Sequence, residues 1–378
     1  MPEILNIADF LEPVSLNEIS MDEEYHDGQF GKEIAIYENE NSDISSADIV
    51  IVGCSEQRGN GPSKKAPSPD IIRREFYKLY NWHNSLKIAD AGNIRTGATL
   101  ADTYAALKTV IKEINASGKT ALVIGGSHDL TLAQYAAFVD RKQLVEVACI
   151  DAKMDLNTNS PAKADHFLMD MLTVEPNFVR HYDHIGFQSY LVHPGMLETI
   201  DKLRFDCFRV GKVRENMEEM EPVIRHAHLF SFDISAIANA YAPVNTTTPN
   251  GFSGDEACAL MRYAGMSPNA ISVGIYGYDA NKDRDNITAK QISQMLWYFF
   301  EGRSRGNREA VIEDKDAFNE FHIAFGEIET NFLQSKRTGR WWMQLPDQQY
   351  IPCSYNDYVM ASNNELPERW LRAQERSA

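Results

Sequence analysis

Residues of the kind that bind metal ions stand directly after three apolar runs of the sequence. His128 follows the run "TALVIGG", Asp151 and Asp155 follow "VEVACI", and Asp233 ends the run "LFSFD". Any one of them alone is as readily a turn, helix-cap or solvated loop residue. Because the carboxyl ends of parallel strands meet at one edge of a sheet, the four side chains are expected to converge. One imidazole and three carboxylates suit a hard or borderline divalent cation such as manganese.

The elements that position these residues alternate along the chain. Apolar runs of strand length recur, separated by segments with helical periodicity, such as residues 99–118, which end at a glycine. Continuous apolar strands are typical of parallel strands covered on both faces. The sequence therefore predicts an α/β fold, a three-layer doubly wound sandwich with a mostly parallel central sheet. The predicted strands are residues 47–53, 120–126, 145–151, 205–211, 227–233 and 270–276.

The chain divides into three predicted parts. Residues 1–45 are rich in acids and show no clear strand, which indicates an N-terminal extension. Residues 46–302 hold the alternating strands and helices of the α/β domain. Residues 303–378 are aromatic and contain prolines, and we expect a C-terminal extension that packs on the same domain.

Charge and cysteine usage narrow the class of partner. The 37 basic and 54 acidic residues give a net charge of −17, which repels nucleic acids and anionic membrane surfaces. The five cysteines are scattered and lack C-x-x-C spacing, as in reduced cytoplasmic proteins. No signal peptide and no apolar run of about 20 residues is evident. We expect a cytoplasmic protein that binds a small molecule, with neither nucleic acid nor membrane as partner.

Four motifs, in this order, resemble those of the arginase superfamily, the ureohydrolases. They are "GGSHDLT", "DAKMD", "SFDIS" and "GFSGDEA", and the resemblance spans about residues 46–302. The closing helix and the aromatic tail most resemble formimidoylglutamase-type members. The resemblance implies an arginase-like fold, a homo-oligomer, and a pair of manganese ions that activate water against a linear guanidine or amidine.

Four positions depart from the family's motifs. The resemblance implies that the histidine and three aspartates named above keep the ligands of the first metal. The two ligands that contact only the second metal are replaced, a histidine by Lys153 and an aspartate by Ser235. Ala238 stands where the family has a further aspartate, which is not a direct ligand. Gly277 stands where the family has the glutamate that holds the substrate's guanidinium or amidine.

A charge count predicts how many cations this pattern binds. Three carboxylates carry −3 and Lys153 carries +1, so one dication gives a neutral cluster and two give +2. Each unit of repulsion costs about 4 kcal/mol at ~4 Å and an effective dielectric constant of ~20. We therefore predict that Lys153 stays protonated and replaces the second ion. The cofactor is then one manganese or other divalent cation, or none. The alternative for Lys153 is a solvated lysine at a strand end.

Two functional hypotheses follow. In the first, the chain is a hydrolase of formimidoylglutamate, another linear amidine or a neutral amide. Asp155 then takes a proton from water, Lys153 stabilises developing negative charge, and His166 shuttles a proton. An exposed loop position is the alternative for His166. In the second, the chain is a catalytically inactive member that serves ligand binding, regulation or assembly.

Nucleotide binding through "GCSEQRGNGPSKK" is excluded, because its spacing fits neither phosphate-binding motif.

Overall fold

The structure is a computed structural model that describes residues 7–14, 25–37, 44–61, 69–326 and 328–377. Its strands are β1 Leu11–Glu12, β2 Ala35–Ile36, β3 Ile49–Gly53, β4 Ile88–Ile94, β5 Thr120–Ile124, β6 Val145–Ile150, β7 Val179–Phe187, β8 Asp206–Arg209, β9 Leu229–Asp233, β10 Ser272–Tyr276, β11 Phe318–Phe325, β12 Ile328–Ser335, β13 Trp341–Gln344 and β14 Tyr350–Cys353. Its helices are α1 Phe30–Glu33, α2 Asp70–Phe76, α3 Leu100–Ala116, α4 Thr131–Asp140, α5 Phe167–Thr173, α6 Pro194–Lys202, α7 Val210–Glu215, α8 Met220–Arg225, α9 Gly254–Met266, α10 Ile287–Gly306, α11 Tyr355–Ser362 and α12 Glu368–Ser377.

A mostly parallel sheet forms the centre of the molecule. Its order is β1-β4-β3-β5-β10-β9-β6-β7-β8, and β2 also pairs with β4. Neighbouring strands run parallel except for β1 and β4. Strands β3, β5 and β10 are buried along their whole length, which explains their continuous apolar sequences.

Helices cover both faces of this sheet. On one face, Leu122 of β5 belongs to the same core as Phe299 of α10. On the other face, Val123 packs with Leu107 of α3, and further along that face Val147 of β6 shares a core with α4 and α5. Adjacent residues of one strand thus bury opposite faces, as strand geometry requires. The predicted three-layer α/β sandwich is confirmed.

The N-terminal region adds to the sheet. Strand β1 pairs antiparallel with β4, and β2 pairs parallel with it. The expectation of no strand in residues 1–45 is therefore wrong for Leu11–Glu12 and Ala35–Ile36. Two-residue strands are too short to show a periodic pattern in the sequence. Residues 1–6, 15–24 and 38–43 of that extension lie outside the described residues, as do residues 62–65 of the rejected nucleotide motif.

The C-terminal region contains a second sheet that sequence analysis does not predict. It is antiparallel, with the order β11-β12-β13-β14. An aromatic core with Phe332, Trp341 and Trp370 joins this sheet to α12. The division at residues 45 and 302 stays a prediction, although α10 extends to Gly306.

Buried arginines attach the second sheet to the first. Arg225 of α8 lies 4.4 Å from the ring centroid of Trp342 and donates a hydrogen bond of 2.8 Å to the carbonyl oxygen of Trp341. Arg340 donates to the carbonyl oxygen of Met266 at 3.1 Å. Since a buried guanidinium that loses its partners is costly, these contacts fix how the C-terminal sheet packs.

Among the described residues, no helix combines the length and apolar character needed to cross a bilayer.

Candidate metal centre

The four predicted ligands come from the carboxyl ends of three strands. His128 begins a short 3-10 helix after β5, Asp151 directly follows β6, and Asp233 is the last residue of β9. Asp155 lies in the loop after Asp151, and its carbonyl oxygen accepts a hydrogen bond from an amide of α5. In the sheet order, β10 is the only strand between β5 and β9, and β6 adjoins β9. The four side chains therefore meet at one edge of the sheet.

Three carboxylates converge on one imidazole nitrogen. Nδ1 of His128 lies 2.9 Å from Asp155 Oδ2, 3.2 Å from Asp151 Oδ2 and 3.8 Å from Asp233 Oδ2. The ligand atoms of His128, Asp151 and Asp155 lie within 4.8 Å of one another, and all three residues are buried. This set matches what divalent cations such as manganese prefer. The arrangement fits a divalent cation.

The electrostatics of the cluster also favour a cation. Burial opposes charge on Asp151, but hydrogen bonding to His128 and its charge hold the pKa of Asp151 below its usual range. Burial and the neighbouring Asp151 carboxylate raise the pKa of Asp155 well above its ordinary value and also raise the pKa of Asp233. The protein alone thus disfavours three negative charges here, and a bound dication offsets that repulsion.

The second oxygens of two carboxylates are already hydrogen-bonded. Asp151 Oδ1 accepts from the Ser235 hydroxyl at 2.7 Å and from the Lys153 amide at 3.0 Å. Asp233 Oδ1 accepts from the Ser235 amide at 2.6 Å. Only one oxygen of each carboxylate therefore faces His128. Ser235, which stands where the family has an aspartate, thus contacts both carboxylates as a donor rather than as a ligand.

The ammonium of Lys153 does not point into the carboxylate cluster. Its Nζ lies 3.0 Å from Asp165 Oδ1, and the lysine side chain is 36% exposed. Burial opposes its charge, but Asp155, Asp151 and Asp165 outweigh burial and raise the pKa of Lys153 above its ordinary value. These carboxylates favour the charged form of Lys153. Because Asp165 pairs with Lys153, a second dication would meet less repulsion than three carboxylates and an unpaired lysine imply.

Two further predicted positions are His166, in the loop between β6 and α5, and Gly277, directly after β10. His166 is half-buried before α5, and its Nδ1 is buried without a hydrogen-bond partner among the described residues. Gly277 follows β10 with a φ of +84°, a conformation that favours glycine. A Cβ at Gly277 would lie 3.0 Å from Asp233 Oδ2, so any side chain there presses on that ligand. Introducing glutamate at Gly277 therefore does not simply restore the family's residue.

Sequence analysis missed the residues that orient His128. Nε2 of His128 lies 2.9 Å from the Ser231 hydroxyl, which lies 2.7 Å from the Thr131 hydroxyl. These contacts leave Nδ1 to face the carboxylates, as expected for a histidine ligand whose other nitrogen is hydrogen-bonded. A signal was present, because Ser231 is a polar residue inside an apolar strand and shares a face with Asp233, two residues later.

Comparison with known proteins points to one family. The model of the arginase family matches residues 47–301 of this chain. A formimidoylglutamase of Staphylococcus haemolyticus (strain JCSC1435) is 24% identical over 265 residues, which are 66% of this chain and 83% of that protein.

Solved structures show the same fold. The formimidoylglutamase of Bacillus subtilis subsp. subtilis str. 168 has a TM-score of 0.65 at 16% identity, over 75% of this chain and 94% of that one. A formiminoglutamase of Trypanosoma cruzi, solved with Mn2+, has a TM-score of 0.62 at 18% identity, over 78% of this chain and 99% of that one. At such identities the likeness shows the fold alone.

Proposed function

Since this chain belongs to the arginase family, we propose that it is a cation-dependent hydrolase of a non-peptide C–N bond in a linear amidine or amide. The proposed ligands of a single divalent cation are the cluster residues His128, Asp151, Asp155 and Asp233. The nearest substrate class is a formimidoyl amino acid, because related proteins are formimidoylglutamases. Gly277 stands where the resemblance implies the glutamate that holds a guanidinium or an amidine, so the choice of a formimidoyl group rests on the related proteins and not on this position.

The hydrogen bonds of the carboxylates support one cation rather than two. Each carboxylate oxygen has two lone pairs: the two hydrogen bonds that Asp151 Oδ1 accepts use both of them, and the hydrogen bond that Asp233 Oδ1 accepts uses one. Ser235 and Lys153 supply those donors, and they stand at the two positions of the second metal's ligands. The occupied oxygens are the observation that carries the one-cation proposal.

The chain's own residues divide the remaining chemistry. A divalent cation in this cluster supplies Lewis acidity that makes water more acidic. Asp155, whose pKa is raised by burial and by Asp151, is the proposed proton acceptor, because a raised pKa lets a carboxylate hold the proton it takes. Lys153 lies beside the cluster and is proposed to stabilise negative charge that develops on the substrate. His166, with its unpartnered Nδ1, is proposed to deliver a proton to the leaving nitrogen.

The test combines metal analysis with turnover. Purified protein is expected to hold one divalent cation per chain and to release the nitrogen of formimidoylglutamate, but not of guanidino compounds. Asp155→Asn should abolish turnover, because the substitution removes both a ligand and the proton acceptor. Asp170→Asn is the matched control, since Asp170 lies on α5 and pairs with Lys163 away from the cluster. Equal turnover by the two variants would refute the role given to Asp155.

An inactive scaffold is the second candidate. It is favoured by the replacement of three family positions, at Lys153, Ser235 and Gly277. A scaffold would turn over none of the amidines, guanidines or amides, and manganese would leave its thermal unfolding unchanged, since a bound ion stabilises the folded state. A cation-dependent rise in melting temperature without turnover would indicate a ligand-binding protein with an intact metal centre.

A further inference from the structure

The C-terminal helices cover a cavity at the opposite end of the parallel strands from the metal-binding cluster. Its volume is about 500 Å3, and it lies beside β8 at the edge of the central sheet. One wall comes from the first half of β7, the start of β8 and helices α7 and α8, and the other from α11 and α12. These are the amino ends of the parallel strands, whereas the metal centre lies at the carboxyl ends. Cavities of this size hold small organic molecules.

His226 lies on the wall of this cavity. Its side chain is 42% exposed, and burial of the ring, together with Arg225, lowers its pKa to about 3. A neutral histidine on the wall offers a hydrogen bond without adding charge.

Alternating charges form a row along the floor of this cavity. Asp206 accepts hydrogen bonds from Arg372 at 2.7 Å and from Arg376 at 2.9 Å. On its other side, Asp206 Oδ2 lies 3.3 Å from Nε2 of His181, which lies 3.2 Å from Asp183 Oδ1. The two arginines belong to α12 and the other three residues to β7 and β8. The row therefore crosses the junction between the C-terminal helices and the central sheet.

This row of charges does not favour a metal ion. His181, Asp183 and Asp206 have the spacing of metal ligands. However, burial of His181 is outweighed by Asp183 and Asp206, which raise its pKa to about 9. Protonated His181 has no lone pair for a metal, and Asp206 is already paired with Arg372 and Arg376.

Both ends of the row keep unused hydrogen-bonding capacity. Within the part of the chain that the structure describes, Nη2 of Arg372 and both Nε and Nη2 of Arg376 have no acceptor. At the opposite end, Asp183 is 7% exposed, and its Oδ2 has no described donor. Apolar side chains line the space between, among them Phe205, Phe208 and Val223. One end thus accepts an anion and the other a cation, beside an apolar wall.

We propose that this cavity binds a small zwitterion, an amino acid with an apolar side chain. The carboxylate of the ligand contacts the free guanidinium donors of Arg372 and Arg376, and its ammonium contacts Asp183. A ligand with a single charge would satisfy one end only and leave the other end desolvated and unpaired. The apolar side chain of the ligand packs on Phe205 and Phe208.

Calorimetric titration of the full chain with three matched probes tests the proposal. L-leucine carries both charges, 4-methylpentanoate lacks its ammonium, and 3-methylbutylamine lacks its carboxylate. L-leucine, or L-phenylalanine in a second titration, should bind at one site per chain. Each singly charged analogue should bind roughly tenfold more weakly or worse, because it loses a charge-assisted hydrogen bond.

Two variants of α12 locate the binding. Arg376→Gln should weaken the binding of L-leucine by roughly tenfold. Glu375→Gln is the control and should leave the binding unchanged, because Glu375 pairs with Arg204 at the surface and does not line the cavity. Unfolding by urea shows whether each variant keeps its fold. The proposal is overturned if neither amino acid binds, if an analogue binds as tightly as L-leucine, or if Arg376→Gln binds like the native chain.

Discussion

Replacing Ser235 by aspartate tests how many cations the metal centre is built to hold. The Ser235 hydroxyl lies 2.7 Å from Asp151 Oδ1, so Ser235→Asp places a new carboxylate against one that already shares the cluster with Asp155 and Asp233. If both stayed ionised, their repulsion would be about 6 kcal/mol at this distance and an effective dielectric constant of ~20.

Protonation of the new carboxyl group limits this loss. An aspartic acid with an ordinary pKa of ~3.9 takes a proton at pH 7 for about 4 kcal/mol, and at pH 5 for about 1.5 kcal/mol. A carboxyl group whose pKa is raised in the folded state destabilises that state above its unfolded pKa, so the loss shrinks as the pH falls. We therefore expect Ser235→Asp to lower the free energy of unfolding by about 4 kcal/mol at pH 7 and by about 1.5 kcal/mol at pH 5.

Urea unfolding of chelator-treated protein measures this difference. Ser235→Asn is the matched control, because asparagine has the shape of aspartate without its charge, and its effect should not depend on pH. Adding Lys153→His to Ser235→Asp supplies both missing ligands of a second ion. The manganese content measured after dialysis should then rise from one ion per chain to two. Manganese at 100 times its Kd should restore about 2.7 kcal/mol of the lost stability.

Two outcomes would contradict this reasoning. Native protein that holds two manganese ions per chain would show that the hydrogen-bonded oxygens of Asp151 and Asp233 do not limit the centre to one ion. Equal loss of stability in Ser235→Asp and Ser235→Asn, at both pH values, would show that charge repulsion at Asp151 is not the cause.

Three further predictions concern the same centre. Manganese should bind more tightly as the pH rises from 5 to 8, because the raised pKa of Asp155 lets protons compete with manganese for this carboxylate at low pH. Calorimetry in buffers of different ionisation enthalpy should also detect the protons that are released on binding. Ser231→Ala should weaken manganese binding roughly 10- to 100-fold at unchanged stoichiometry, because Nε2 of His128 loses its hydrogen-bond partner. Thr131→Ala should weaken manganese binding less, because Thr131 contacts His128 only through Ser231. Gly277→Ala should destabilise the fold by about 1–2 kcal/mol, because the backbone at Gly277 has a positive φ. The same substitution should weaken manganese binding, since the new Cβ would press on Asp233. An unchanged unfolding curve and an unchanged manganese affinity would contradict this prediction.

Local patterns in the sequence predicted six of the ten strands that the structure describes in the central sheet. Continuous apolar runs marked strands such as β5 and β9, because both faces of these strands are buried. Strand β7, "VRHYDHIGF", was not predicted, because charged and polar residues interrupt its apolar ones. Strand β11, "FNEFHIAF", is half-buried at the edge of the second sheet. Its apolar and polar residues alternate only weakly, so this segment was not predicted as a strand.

The order of polar residues after the strands predicted which side chains converge in the candidate metal centre. Parallel strands place their carboxyl ends at one edge, so His128, Asp151 and Asp233 had to approach one another once the sheet was predicted. What each oxygen and nitrogen contacts was decided only by the tertiary structure. The pairing of Lys153 with Asp165 and the hydrogen bond from Ser235 to Asp151 depend on side-chain directions and loop paths. Hydrogen bonds act over about 3 Å, whereas the spacing of residues in a sequence fixes neither a rotamer nor the loop that brings residues 84 positions apart into contact.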